Sequence, residues 1–140
     1  MKWATRPRIG VDRAASAWLI SSMIDPSAEF SYYAHLRDVP DDTTPFGMYG
    51  CELGHSDDDV TFETIVKKYD LLDPVISRIG EIVHEATVSD GRFDAPESWG
   101  FDLVARALSY KHEDEEVRQM FNPIFDAVES YLRSEMIGEH

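Results

Sequence analysis

The sequence predicts an α+β fold: one helix-dominated domain over residues 1–140, with about five helices around a small sheet of two or three strands. Three observations carry this. Apolar residues recur at three- and four-residue spacing in five stretches, the signature of amphipathic helices. Extended, β-rich segments are short and confined to the first 53 residues. No repeat, low-complexity tract or long linker divides the 140 residues, a length typical of one domain with its own core.

The elements follow in order. Residues 2–6, KWATR, read as a strand stopped by Pro7. A helix follows over Asp12–Ile24, its apolar face carrying Val11, Ala14, Ala15, Trp18, Leu19 and Met23, with Asp12 as cap and Asp25-Pro26 as stop. Residues 28–34 and 46–53 read as two more strands, the second made irregular by Gly47, Gly50 and Gly54. Between them RDVPDDTTP, residues 37–45, reads as an exposed connection. The rest is helical. One helix bears Phe62, Ile65, Val66 and Tyr69 and is capped by Asp59 or Thr61. A second runs from Asp73-Pro74 to about Ala86, with Asp as cap and Pro in the first turn. A third opens at Pro96-Glu97 and reaches Tyr110. The last begins near Asp114, and Pro123 inside its apolar stripe predicts a kink or break.

Composition bounds the function. The chain holds 27 Asp and Glu against 13 Lys and Arg, a net charge of −14. That field repels phosphate backbones and anionic lipid, which argues against nucleic-acid and membrane partners. It also disfavours an inorganic anion, unless a local pocket overrides it. No apolar run reaches the roughly 20 residues of a membrane span. The N-terminus is not a secretory signal, since Asp12 and Arg13 interrupt the apolar stretch. A single cysteine, Cys51, excludes an intrachain disulfide and a Cys-rich zinc site, and with no basic neighbour it reads as an inert thiol. These features predict a cytoplasmic protein.

Three places could carry chemistry. Glu52 and His55 lie three apart, and a turn at Gly54 would bring together a carboxylate and an imidazole, a ligand mixture that transition metals accept. The plainer reading makes Glu52 a surface charge and Asp57–Asp59 a solvated helix start. His84 falls, with Ser77, Gly80 and Thr87, between the apolar face and a charged face of Arg78, Glu81 and Glu85. A partly buried ligand or base fits that sector, and so does a surface histidine. Asp12-Arg13 reads first as a helix cap beside a solvent-facing arginine, and second as a ligand beside an anion clamp. His35, His112 and His140 read as solvent-exposed. Met120, Phe121, Phe125 and Tyr131 read as core, with self-association into a homo-oligomer as the other use of that stripe.

The segment TRPRIGVDRAASAWLISSMIDPSAEF, with TPF at 44–46, ELGH at 52–55, TFETIVKKYDLLDP at 61–74, RIGEIVHEATVSDGRF at 78–93 and FDAVESYL at 125–132, resembles the C-terminal domain family of the chromate-resistance protein ChrB. The resemblance covers essentially the whole chain. It implies a role in sensing or resisting chromate, and a standalone small member rather than a DNA-binding regulator. The matching charged and imidazole positions are Asp12, Arg13, Glu52, His55, His84 and Asp90. What the resemblance implies is a two-histidine, one-carboxylate site of Glu52, His55 and His84. It would hold iron, manganese or zinc, with Asp12 as a further or supporting ligand and Arg13 binding a small anion or small oxidant at the open position. A metal-dependent enzyme acting on a small organic acid is the alternative, and a non-catalytic interaction domain the third. The chain departs from the family pattern at Ser16 (cysteine in many relatives), Ala17 (proline), Ser21-Ser22 (a basic pair) and Thr87 (a carboxylate).

Overall fold

The computed structural model describes residues 1–138. Strand β1, Lys2–Thr5, lies between β2, Glu29–Tyr32, and β3, Thr43–Pro45, and pairs parallel with both. The register runs Lys2–Glu29 to Thr5–Tyr32 on one side and Lys2–Thr43 to Ala4–Pro45 on the other. Parallel pairing requires crossovers. Helix α1, Val11–Leu19, supplies the one from β1 to β2, and a loop with a single 3₁₀ turn, Leu36–Asp38, leads into β3. Four helices follow: α2 at Thr61–Lys68, α3 at Pro74–Val88, α4 at Ser98–Lys111 and α5 at Asp114–Met136.

The α+β class and the five helices agree with the sequence, and the boundaries differ in informative ways. Strand β3 forms at 43–45, inside the stretch read as an exposed connection. The expected strand at 46–53 is a loop whose ends, Phe46 and Leu53, form one isolated bridge. Apolar Phe46 is fully buried either way; the sheet takes the threonines before it because Trp3 and Ala4 need a partner on that edge. The helical run that α1 begins continues to Ile24 as expected, with Ile20–Ile24 after α1 wound as a π-helix. Helix α5 runs through Pro123 without a break. Pro123 is exposed, on the side of α5 where its ring meets solvent rather than the core.

Helix α1 is the axis of the core. All nine of its residues are buried, and α2, α3, α4 and α5 pack around it. Trp18 packs on Phe125 with the rings tilted by 32° at 5.5 Å and donates Nε1–H to Asp126 Oδ1 at 2.8 Å, which locks α5 across α1. Phe121 and Phe125 are buried, so the stripe on α5 is core, while Tyr131 is exposed. The Asp114 carboxylate accepts from the N–H groups of Arg8 and Ile9 at 2.7 and 3.1 Å, tying the start of α5 to the loop before α1. No helix among the described residues is long and apolar enough to cross a membrane.

A cleft lined by arginines and a buried histidine ringed by carboxylates

Asp12 does not cap α1, whose N-cap is Gly10 with no side-chain bond. Its carboxylate, 6% exposed, reaches across to α2 instead, accepting from Thr61 N–H at 3.0 Å and Phe62 N–H at 2.9 Å. It therefore supplies the cap that the sequence assigned to Asp59 or Thr61. The free N–H groups and positive end of α2 hold the buried charge. Oδ2 also meets His55 Nε2 at 3.1 Å, and that hydrogen bond raises the His55 pKa above its ordinary value, burial notwithstanding.

Arg13 is likewise not solvent-facing. Only 7% exposed, it turns its guanidinium to the 6–8 loop. Nη1 donates to the carbonyls of Arg6 and, at 3.3 Å, Pro7; Nη2 donates to that of Arg8 at 2.6 Å. Burial, and then the neighbouring Arg6, push its pKa down to about 10. Gly47 makes room for its stem: a Cβ there would lie 2.7 Å from Arg13 Cγ, and Gly47 has a φ of +61°. Arg8 pays with a left-handed φ of 62°, uncommon for a non-glycine residue.

Around this scaffold opens a cleft of about 720 Å³. Arg6, Arg8, Arg13 and Arg106 line it, with Asp12, His55, Thr61, Thr87, Asp102, Ser109 and Tyr110. Arg106 is held by Asp102 at 2.9 Å, and Arg6 Nε donates to the Gly47 carbonyl at 3.3 Å. The Arg8 guanidinium has no hydrogen-bond or ion-pair partner among the described residues. Thr61 Oγ1 is buried with no hydrogen-bond partner among the described residues. The sequence reading found Arg13 and His55 here but not Arg6, Arg8 or Arg106. Their only signal was position, in a loop and on a late helix that folding brings together.

His84 is fully buried on α3. Asp73 caps that helix, accepting from Val75 N–H at 2.8 Å, and Pro74 occupies its first position. Nδ1 meets Glu63 Oε1 of α2 at 2.7 Å, and Nε2 meets Asp90 Oδ1 at 3.0 Å. Glu85 Oε2 lies 3.9 Å from Nε2. Placed on the charged face by the sequence, Glu85 is in fact buried, because its carboxylate accepts from Gly91 N–H at 2.9 Å and Phe93 N–H at 3.1 Å and folds the chain after α3 back over the helix. Burial would lower the His84 pKa, but the bonds to Glu63 and Asp90 outweigh it and the net shift is upward.

The expected grouping of Glu52, His55 and His84 is not assembled. Glu52 is exposed and pairs with Lys68 at 2.9 Å, His55 binds Asp12, and His84 binds Glu63 and Asp90. Among the described residues, the set of three or more ligand-type side chains gathered closely enough for one ion is His84, Glu85 and Asp90. Thr87, three residues beyond His84 on α3, lines the arginine cleft that holds His55, while His84 is not among the residues lining it. Cys51 is half-buried and its pKa is raised by burial, in keeping with an inert thiol. His35 is exposed, His112 half-buried, and His140 lies outside the described residues.

The chain is 38% identical over 104 residues to Protein ChrB of Cupriavidus metallidurans, a match covering 74% of this chain and 32% of that protein. It thus spans about a third of the length of that curated relative. No solved structure matches the chain significantly. The ChrB C-terminal domain matches residues 3–132, nearly the whole chain, and the protein belongs to that family.

Proposed function

We propose that this domain binds a small oxyanion of the chromate class in the cleft lined by Arg6, Arg8 and Arg106, as part of chromate resistance or a related stress response in the cytoplasm. One observation carries the reading. A chain of net charge −14 places four arginines around a single cleft, and one of them, Arg8, has a guanidinium with no hydrogen-bond or ion-pair partner among the described residues. Guanidinium forks match the paired oxygens of an oxyanion. Arg13 works indirectly: its head fixes the loop that presents Arg6 and Arg8, and its charge adds to the local field. His55, whose raised pKa favours the imidazolium, adds positive charge below neutrality. The expected transition metal belongs, in our reading, not to this cleft but to His84, a separate proposal taken up below.

The test is calorimetric titration of the protein with chromate, sulfate and phosphate at low and high salt. Binding that weakens with salt, and falls about tenfold or more in Arg8→Ala, supports the reading, since a charge-assisted bond contributes about 1.5–3 kcal/mol. Absence of anion binding by the wild type overturns it.

A second reading has its own support. The cleft volume of about 720 Å³ falls in the range of organic-ligand sites, roughly 300–1,000 Å³, and Thr87, Ser109 and Tyr110 give it a polar and aromatic wall. A small organic acid, its carboxylate on Arg8, would use that space. Titration with succinate and malonate beside the inorganic anions separates the two: tighter binding of the carboxylates favours this reading.

A further inference from the structure

We propose that His84, Glu85 and Asp90 form a binding site for one divalent transition-metal ion, with Glu63 orienting the histidine. The proposal is independent of anion binding in the arginine cleft.

Geometry comes first. A tetrahedral ion with bonds of about 2.1 Å sets its ligand atoms about 3.4 Å apart. Nε2 of His84 lies 3.0 Å from Asp90 Oδ1 and 3.9 Å from Glu85 Oε2, on either side of that spacing. One ligand atom from each of the three residues lies within 4.8 Å of the others. Around an ion the Asp90 oxygen would move about 0.4 Å away from Nε2 and the Glu85 oxygen about 0.5 Å toward it.

Orientation points the same way. A metal-binding histidine almost always donates its other ring N–H to a carboxylate or carbonyl, which fixes the tautomer. Glu63 Oε1 stands 2.7 Å from Nδ1, so Nδ1–H donates to Glu63 and Nε2 is the nitrogen that faces Asp90 and Glu85. Glu63 is itself fixed, accepting from Val60 N–H at 3.0 Å, and Phe93 packs edge-on against the imidazole at 5.1 Å. Each ligand is thus held by structure other than the ion. Glu85 has both oxygens on backbone N–H groups, and Asp90 Oδ1 accepts from Arg92 N–H at 3.1 Å.

Charge supplies the reason for a cation. Glu63, Glu85 and Asp90 carry three negative charges around one imidazole, and among the described residues none of them is ion-paired to a lysine or arginine. Even a protonated His84 leaves two negative charges uncompensated on side chains of which Glu85 is 8% and Glu63 14% exposed. Buried charge without a counterion is costly. A divalent ion on Nε2 displaces one proton, which leaves to solvent, and brings the cluster nearer to neutrality. Asp90 is 47% exposed and provides the entry path, and with three protein ligands the fourth position falls to water. One nitrogen and two carboxylates select zinc, manganese or ferrous iron over calcium or magnesium, which prefer oxygen alone.

The experiment is titration of EDTA-stripped full-length protein with Zn²⁺, Mn²⁺ and, as controls, Ca²⁺ and Mg²⁺, read by calorimetry, by elemental analysis after gel filtration and by the shift in Tm. One equivalent of Zn²⁺ or Mn²⁺ and a rise in Tm are expected. Asp90→Asn, at a half-exposed position that folding tolerates, and Glu63→Gln should each weaken binding about tenfold or more, with circular dichroism unchanged. Arg8→Ala should bind metal as wild type does, so loss of anion binding leaves this result standing. Absence of stoichiometric binding, equal affinity in folded Asp90→Asn, or calcium binding as tight as zinc would each overturn the assignment.

Discussion

The Asp12 carboxylate joins His55 to the start of α2: Oδ2 lies 3.1 Å from His55 Nε2 while the same group accepts from the Thr61 and Phe62 N–H groups. One side chain on the central helix thus fixes both a neighbouring helix and the one imidazole of the arginine cleft. Asp12→Ala leaves two N–H groups of α2 without acceptors in a buried place. It should destabilise the fold by about 1–3 kcal/mol, seen as a lower midpoint in urea with an unchanged slope. Asp12→Asn keeps an acceptor oxygen and should lose less. Equal losses in both variants would show that the charge, rather than the cap, dominates.

His55 gives the pH dependence. Its pKa is raised above the ordinary 6.5, chiefly by the hydrogen bond to Asp12. A raised folded-state value means that the pair stabilises the fold fully below the unfolded pKa, and that this contribution fades as pH rises through the folded one. The stability difference between wild type and Asp12→Asn should therefore shrink from pH 6 to pH 8. Titration of the His55 ring by NMR should give a value above 6.5 that returns toward 6.5 in Asp12→Asn. A value at or below 6.5 in the wild type would refute the pairing.

Local rules made the helices legible. Asp73-Pro74 caps and opens α3, and the apolar spacing around Trp18 and Phe125 names the core, because caps and periodicity act within one or two turns. His84 falls in the sequence on a sector between the apolar and charged faces that fits either a partly buried or a surface histidine, and the structure buries it fully. The pairings were not legible. Asp12 looks like the cap of its own helix and instead caps one that starts 49 residues later. Arg13 looks exposed until the 6–8 loop curls over it. Glu85 looks like surface until Gly91 turns the chain back. In each case a polar group is satisfied by backbone outside its own helix, across a loop for Arg13 and Glu85 and 49 residues away for Asp12, which helical spacing does not encode.

Gly47 and Arg13 form a tight pair. Gly47→Ala would put a methyl 2.7 Å from Arg13 Cγ at a φ that side chains rarely adopt. The stem is buried and its head is held by carbonyls, so the clash cannot be relieved by swinging the chain outward. A loss of about 1–3 kcal/mol is expected, together with weaker anion binding as the 6–8 loop shifts. Urea denaturation and titration on the same sample check both. A fully stable variant would mean that the loop relaxes freely.

Arg13 and Arg8 separate holding the cleft from filling it. The Arg13 head bonds three backbone carbonyls, while the Arg8 head is unpartnered among the described residues. Lysine cannot span those carbonyls with a planar fork. Arg13→Lys should therefore destabilise the fold by about 2 kcal/mol, and its effect on anion affinity should follow from the displaced loop. Arg8→Ala should do the reverse. Because it removes a strained left-handed arginine's unpaired head and no protein contact of that head, Tm should hold within a degree or two while anion affinity falls. If Arg13→Lys left stability intact and abolished binding, Arg13 would be the anion ligand after all, and the loop carbonyls merely its resting place.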